Sequence, residues 1–228
     1  MRKWLNEQYP AIRRKAQRQH GIIFWLDETG IRSQHQAGTT YAPKGKTPVI
    51  ARSGQRFGVN MISAITNTGT LVFMVVDGKF NGEVFLQFLY KLIKSTARKV
   101  FLIADRHPVH EQTKVELWID RYQQKIELFF LPGYSPELNP DEYFNQDLKT
   151  NVVGKFRPKS KEQLIAKVKA FSNSKKRKPQ KVIKYFHAKA VRYARVHFKF
   201  SQCSGRINEA GFSKLNDFVP LLVHVKDA

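Results

Sequence analysis

The sequence predicts an α/β domain built on a mixed five-stranded sheet with helices on its faces. Three observations carry that reading. The 228 residues are 42% hydrophobic and include 17 Phe, enough apolar side chain for a sizeable core and too much for a disordered chain. Five short apolar runs have the length and composition of strands. The first three follow one another directly, and the last two alternate with segments of helical period, as in an antiparallel opening that feeds into strand–helix units.

Taken in order, residues 1–20 are basic, with Trp4, Leu5 and Ile12 as apolar anchors of a lead-in helix. GIIFWLDETGI (21–31) is a continuous apolar run, the mark of a buried strand. YAPKGKTPVI (41–50), punctuated by Pro, Gly and Pro, predicts a loop or hairpin. RFGVNMISAIT (56–66) and TLVFMVVDG (70–78) form two strands about the turn Asn67-Thr68-Gly69. In VFLQFLYKLIKS (84–95), Val84, Phe85, Phe88, Leu89, Leu92 and Ile93 recur at helical spacing. KVFLIAD (99–105) is a short buried strand, EQTKVELWIDRYQ (111–123) an amphipathic helix through Val115, Trp118, Ile119 and Tyr122, and IELFFLP (126–132) the fifth strand. A Pro-rich loop leads to a helix from Pro140, with Asn139 as N-cap and Glu142 placed to close a capping box. SKEQLIAKVKAF (160–171) is a helix with Ser160 and Gln163 as its capping box. SNSKKRKPQ (172–180) reads as a charged turn or linker, and PQKVIKYFHAKAVRYARV (179–196) as a further basic helical region. No internal repeat is present.

Charge points to a polyanionic partner. Forty Lys and Arg oppose 18 Asp and Glu, a net charge of +22. The excess is clustered: residues 151–200 hold 16 basic side chains and one acidic, against 21 and 14 in residues 1–150 and three and three in 201–228. Clustering favours nucleic-acid binding over a merely soluble basic surface. Lys175, Lys176, Arg177 and Lys178 are the candidate phosphate contacts, with a solvated segment as the alternative. The longest apolar run, LVFMVV (71–76), falls short of the about 20 residues of a membrane helix, and the N-terminus lacks the apolar stretch of a signal peptide. The expectation is a cytoplasmic, nucleoid-associated protein without a membrane span. The single Cys203 excludes an internal disulfide and a Cys-rich zinc site.

Within this basic chain three acids stand where a strand gives out or a helix starts. Asp27 follows IIFWL, Asp105 follows VFLIA, and Glu142 opens the helix after IELFFLP and its loop. Ligands of open α/β sheets gather outside the carboxyl ends of the strands. If the first and fourth strands are neighbours, Asp27 and Asp105 lie side by side there, and the helix after the fifth strand can bring Glu142 to the same place. Three such carboxylates suit one or two hard divalent cations, Mg2+ or Mn2+, bound through oxygen. A two-ion site clamps the attacking and leaving oxygens of a phosphodiester. Each acid also has a local reading: Asp27 as a solvated strand end, Asp105 as the start of the Arg106-His107-Pro108 turn, Glu142 as a helix cap. Asp141 is the alternative to Glu142 as ligand, pointing about 100° away on a helix. Glu28 faces the other side of its strand and is expected to be supporting or structural. His107 and His110 lack further zinc-type spacing, so they suit a turn and a polar contact, with His110 a candidate for the substrate phosphate. Glu137 and Asp147 read as structural or solvent-facing.

WLDETGIRS, FLIADRHPVH and FFLPGYSPELNPDEYFNQDLK together resemble bacterial insertion-sequence transposases of the mariner-related DDE superfamily, over roughly residues 1–196. The resemblance implies an RNase H-like, integrase-like catalytic core at 21–150, after the lead-in at 1–20 and before a basic helical extension at 151–196. Residues 197–228 lose both the basic bias and the resemblance and form a tail of uncertain origin. The family's carboxylates fall on Asp27, Asp105 and Glu142, with thirty-six residues between the last two. Family members often carry Asn after the second Asp, where this chain has Arg106, so an accessory role of that Asn does not carry over. The implied activity is Mg2+-dependent hydrolysis at transposon ends followed by strand transfer, with two ions and with Mn2+ as a substitute. The implied partners are terminal inverted repeats and target DNA, a second copy on that DNA, and an N-terminal helix-turn-helix region, here as a separately encoded fragment. A different RNase H-like nuclease and an inactive DNA-binding remnant are the competing readings.

Overall fold

The computed structural model describes residues 1–33, 43–45, 56–156 and 158–195. The expected loop or hairpin at 41–50, apart from 43–45, and the tail at 197–228 with Cys203 lie outside the described residues.

The long strand β1 (Ile22–Arg32) is the middle of a five-stranded sheet. On one side it pairs antiparallel with β2 (Gly58–Ile65), which pairs antiparallel with β3 (Leu71–Val76). On the other it pairs parallel with β4 (Val100–Ala104), which pairs parallel with β5 (Ile126–Phe130). The order β3-β2-β1-β4-β5 makes the first and fourth strands neighbours, as the acid constellation requires. The turn between β2 and β3 closes through Thr66 and Thr70, whose backbones bond at 3.0 Å. Gly69 sits there at φ +97°, and a Cβ on it would meet Pro179 at 2.6 Å, so both conformation and space call for glycine.

Side-chain alternation along β1 creates two cores. Trp25 and Ile31 face a cluster with α1 (Tyr9–Arg18), α4 (Pro140–Lys149), α5 (Lys161–Lys176) and α6 (Pro179–Ile183). Phe24 and Leu26 face a second cluster with α2 (Gly82–Lys94) and α3 (Thr113–Arg121). Phe85, Phe88, Leu89 and Leu92 of α2 are fully buried, as their spacing predicts, and Asn81 caps that helix by accepting from the Val84 N–H at 3.0 Å. The lead-in is a π-helical turn, Trp4–Gln8, running into α1. Among the described residues no helix is long and apolar enough to cross a membrane.

Two expectations for the basic extension change. Helix α5 continues to Lys176, through half of the stretch read as a linker. Nothing before Pro179 breaks it, and Ser172 is buried against Met61, its Oγ 3.7 Å from the sulfur. The helical region expected from residue 179 is, through residue 195, an interrupted one: α6 gives way to tight 3-10 turns at Lys184–His187 and Lys189–Ala194, broken by Ala188 in an extended conformation. Phe186, Val191 and Ala194 are fully buried, and Tyr193 donates to the Leu138 carbonyl at 2.7 Å. Burial of these side chains dictates the path more than helix propensity does. Ser160 caps α5 as expected, accepting from the Gln163 N–H at 3.3 Å, but the box does not close, because the Gln163 side chain accepts from the Lys159 N–H at 3.0 Å and not from that of Ser160.

Candidate metal centre at the strand ends

The parallel ladder of β1 and β4 ends at Trp25 opposite Ile103, and two residues further along each strand stand Asp27 and Asp105. Period-two alternation directs both to the face of Trp25 and Ile103, the face that α4 covers. The chain enters α4 through a rigid joint. Asn139 caps the helix by accepting from the Asp141 N–H at 3.1 Å, and its own amide donates to the Leu26 carbonyl at 2.8 Å. The start of α4 is thereby fixed to β1 one residue before Asp27. The expected capping box at Glu142 does not form: the Asn139 N–H that a capping carboxylate would take donates to Pro136 instead, at 2.8 Å. Glu142 turns to a cavity of about 520 Å3 that Asp27, Asp105, Arg106 and the loop 131–136 also line.

Asp27 is 7% exposed. Burial, reinforced by the charges of Glu142, Asp141 and Glu28, pushes its carboxyl well above the usual range, opposed by a hydrogen bond from Asn145 Nδ2 at 2.7 Å. Burial also raises Glu142, with Lys149 pulling it down and Asp105 pushing it up. Asp105, half-exposed, goes the other way, because hydrogen bonding to His110 holds it below its ordinary value against the effect of burial. It also accepts from the His107 N–H at 3.2 Å, so it does start the Arg106-His107-Pro108 turn. Asp141 does not line the cavity. It is fully buried, accepts from Ser63 Oγ at 2.6 Å, and leaves Oδ1 without a partner, so burial drives its carboxyl far up. Three carboxylates line one opening, with a fourth acid behind them, and oxygen donors of this kind are the chemistry that hard divalent cations take.

The opposite face of β1 is different. His110, whose side chain is wholly buried, places Nε2 2.7 Å from Glu28 and Nδ1 3.0 Å from the Asp105 carbonyl and 3.3 Å from its carboxylate. Burial opposes a charge on the ring, and the hydrogen bonds to Asp105 and Glu28 overcome it, pushing His110 up to about 10. Glu28, Asp105 and His110 offer ligand atoms within 4.8 Å of one another. The imidazole already fills the space between the two carboxylates, so we read the group as an ion bridge and not as a second cation site. This corrects the phosphate-contact expectation for His110, because both nitrogens are engaged inside the protein. Glu28 has the supporting place expected of it. His107 serves the turn, its Nδ1 accepting from the Val109 N–H at 3.2 Å.

Lys175 is also corrected. Its ammonium pairs with Asp147 and lies 4.8 Å from the centre of the Phe171 ring, leaving its side chain 15% exposed. Asp147 accepts from Tyr185 Oη at 2.5 Å as well, which makes it structural. Lys176, Arg177 and Lys178 are exposed. Arg106 pairs with Glu111 at 2.8 Å and lies over the Phe130 ring. Sequence reasoning missed Asn145 and Ser63. A signal existed for the first: Asp141 and Asn145 are polar residues four apart on the buried stripe of α4 that also carries Phe144 and Leu148.

The model of a family described as DDE superfamily endonuclease matches residues 22–165. A Shigella sonnei protein described as the insertion element IS630 uncharacterized 39 kDa protein is 25% identical over 152 residues, which span 65% of this chain and 44% of that protein. The chain therefore spans less than half the length of this curated relative. The Mos1 mariner paired end complex with Mn superposes with a TM-score of 0.59 at 16% identity, over 86% of this chain and 63% of that one. The isolated catalytic domain of Mos1 mariner transposase superposes with a TM-score of 0.52 at 15% identity, over 85% of this chain and 93% of that domain. The sheet order and flanking helices are those of the RNase H-like fold.

Proposed function

This chain belongs to the DDE superfamily endonuclease family, and from that premise we propose that it is the catalytic portion of an insertion-sequence DNA transposase. The observation that carries the proposal is the convergence of Asp27, Asp105 and Glu142, from two strand ends and one helix start, on one cavity.

The three carboxylates are the proposed ligands of Mg2+, replaceable by Mn2+, with two ions as the proposed occupancy. The Mos1 complexes with Mn and with Mg support the choice of a divalent metal. Such ions supply Lewis acidity and charge for in-line displacement at a phosphodiester. The protein's own groups do the positioning. Asn145 holds the Asp27 carboxylate, His110 holds Asp105, and Asn139 fixes the helix that presents Glu142. In the first reaction water displaces the 3′-oxygen of an element end, leaving a 3′-hydroxyl and a 5′-phosphate. In the second that 3′-hydroxyl attacks a target phosphodiester, forming one P–O bond as another breaks and releasing a new 3′-hydroxyl. The proposed DNA substrates are terminal inverted repeats and target DNA. The proposed partners on them are a second copy of the chain and a helix-turn-helix fragment that reads the element's ends. Lys176, Arg177 and Lys178 are proposed as phosphate contacts.

The test is cleavage and joining of labelled duplex DNA with Mg2+ or Mn2+. Asp27→Asn, Asp105→Asn and Glu142→Gln are each expected to reduce cleavage by about a thousand-fold or more, the scale of several kcal/mol of transition-state stabilisation, while DNA binding survives. Cleavage at the native rate by all three variants sinks the assignment. Cleavage without joining of pre-cut ends identifies a nuclease and not a transposase.

A further inference from the structure

The loop that lines the candidate site carries an unusual residue. Tyr134 is the most exposed large hydrophobic side chain among the described residues, at 106% relative exposure. Its backbone sits at φ +53°, in the left-handed region that side chains other than glycine rarely adopt. The loop around it is firmly held. Leu131 donates to the Ala104 carbonyl at 2.8 Å, which extends the sheet, and the Leu138 carbonyl accepts from Tyr193. The backbone is thus fixed on both sides of a ring that touches little of its own protein. Tyr134 is one of the residues that line the cavity shared by Asp27, Asp105 and Glu142. Local packing offers no reason for an aromatic side chain there. A neighbouring ligand does.

We propose that Tyr134 is a stacking platform for an unpaired nucleobase next to the phosphodiester held at the three carboxylates. The inference rests on the DNA-processing reading of the site. A phosphate seated at the carboxylates brings its flanking nucleosides to the cavity wall, and a duplex hides the base faces that a ring can cover. A base freed from its partner presents a π-face, which an exposed aromatic ring receives without regard to sequence. Tyr134 therefore positions the strand at an opened or frayed step beside the reacting phosphate.

The experiment uses the full chain and two duplexes, one blunt and one with a short 3′-overhang carrying 2-aminopurine, in Ca2+ to hold binding apart from cleavage. The native protein is expected to quench 2-aminopurine and to bind the overhang more tightly than the blunt end. Tyr134→Ala should lose the quench and about ten-fold or more of the overhang affinity, the range set by one base–aromatic stack, with blunt-end affinity within about two-fold. Tyr134→Gly, which relaxes the backbone and removes the ring, should match Tyr134→Ala, and Tyr134→Phe and Tyr134→Trp should retain the quench. Undiminished quenching by Tyr134→Ala overturns the proposal. So does equal loss on both duplexes, or loss of self-association with DNA binding intact. The two readings fail separately. A native protein that cleaves DNA with Mg2+ without quenching refutes the platform alone, and one that quenches without cleaving refutes the nuclease reading alone.

Discussion

Asp27 and Glu28 are consecutive on β1 and live in opposite electrostatic worlds. Asp27 faces α4, where Asp141 and Glu142 add their charges and, among the described residues, no basic side chain bonds to it. Glu28 faces α2 and α3, where His110 answers its charge at 2.7 Å. One face is a completed ion bridge and the other is acid massed on acid. The difference teaches how to tell scaffold from site. A compensated buried charge is part of the frame, whereas an uncompensated cluster at the lip of a cavity marks the place proposed for a cation.

The largest effect should come from breaking the completed face. His110→Ala removes a wholly buried ring and leaves Glu28 without its partner, while the half-exposed Asp105 falls back on solvent, and a loss of about 3 kcal/mol is expected in chemical denaturation. A loss under about 0.5 kcal/mol would show that the bridge is not structural and would erase the contrast.

The uncompleted face should show itself in pH dependence. Asp27 and Asp141 hold their protons in the native protein at pH values where the unfolded chain has released them. Their contribution to stability is full below the unfolded value near 4. It is lost as pH rises toward their elevated native values. Metal-free protein should therefore lose stability through this window, by up to about 1.4 kcal/mol per pH unit for each group. Asp141→Asn should flatten that fall. An unchanged slope would mean that Asp141 is not one of the groups that hold the proton.

The smallest effect extends the contrast to the basic side chains. Lys175 is paired with Asp147, and its neighbours Lys176, Arg177 and Lys178 are exposed. Replacing these three with Ala should lower the salt dependence of DNA binding by about 0.9 in log–log slope for each phosphate that is no longer neutralised. Lys175→Ala should leave that slope alone and lower thermal stability. Equal slopes in both variants would count against Lys176, Arg177 and Lys178 as phosphate-binding side chains.

Most of the sheet was legible because its signal is periodic and local. The run IIFWL, the paired strands around Asn67-Thr68-Gly69 and the helical spacing of Phe85, Phe88 and Leu92 each announce their element within about a dozen residues. Asp27 and Asp105 were legible as a pair because each follows an apolar run, and the parallel pairing of their strands completes the argument. The extension was harder to read. Beyond Pro179 the chain follows buried aromatic side chains, and helix propensity carries no trace of that. The roles of His110, Asn145 and Ser63 were hidden for another reason. Each depends on a partner supplied by a distant segment, and a single sequence displays residue types without their pairings. Lys175 misled because a basic run looks the same whether or not one member has turned inward to an acid.

The bonds that assemble the acid cluster share one property, the length of chain they bridge. Asn145 reaches Asp27 across 118 residues, Asn139 reaches Leu26 across 113, His110 reaches Glu28 across 82 and Ser63 reaches Asp141 across 78. Bonds so remote form late, because loop-closure entropy opposes them until most of the topology is in place. During synthesis Asp27 leaves the ribosome long before Glu142 exists. A nascent or partly folded chain has its carboxylates scattered, and the proposed DNA cleavage would have to wait for the finished fold.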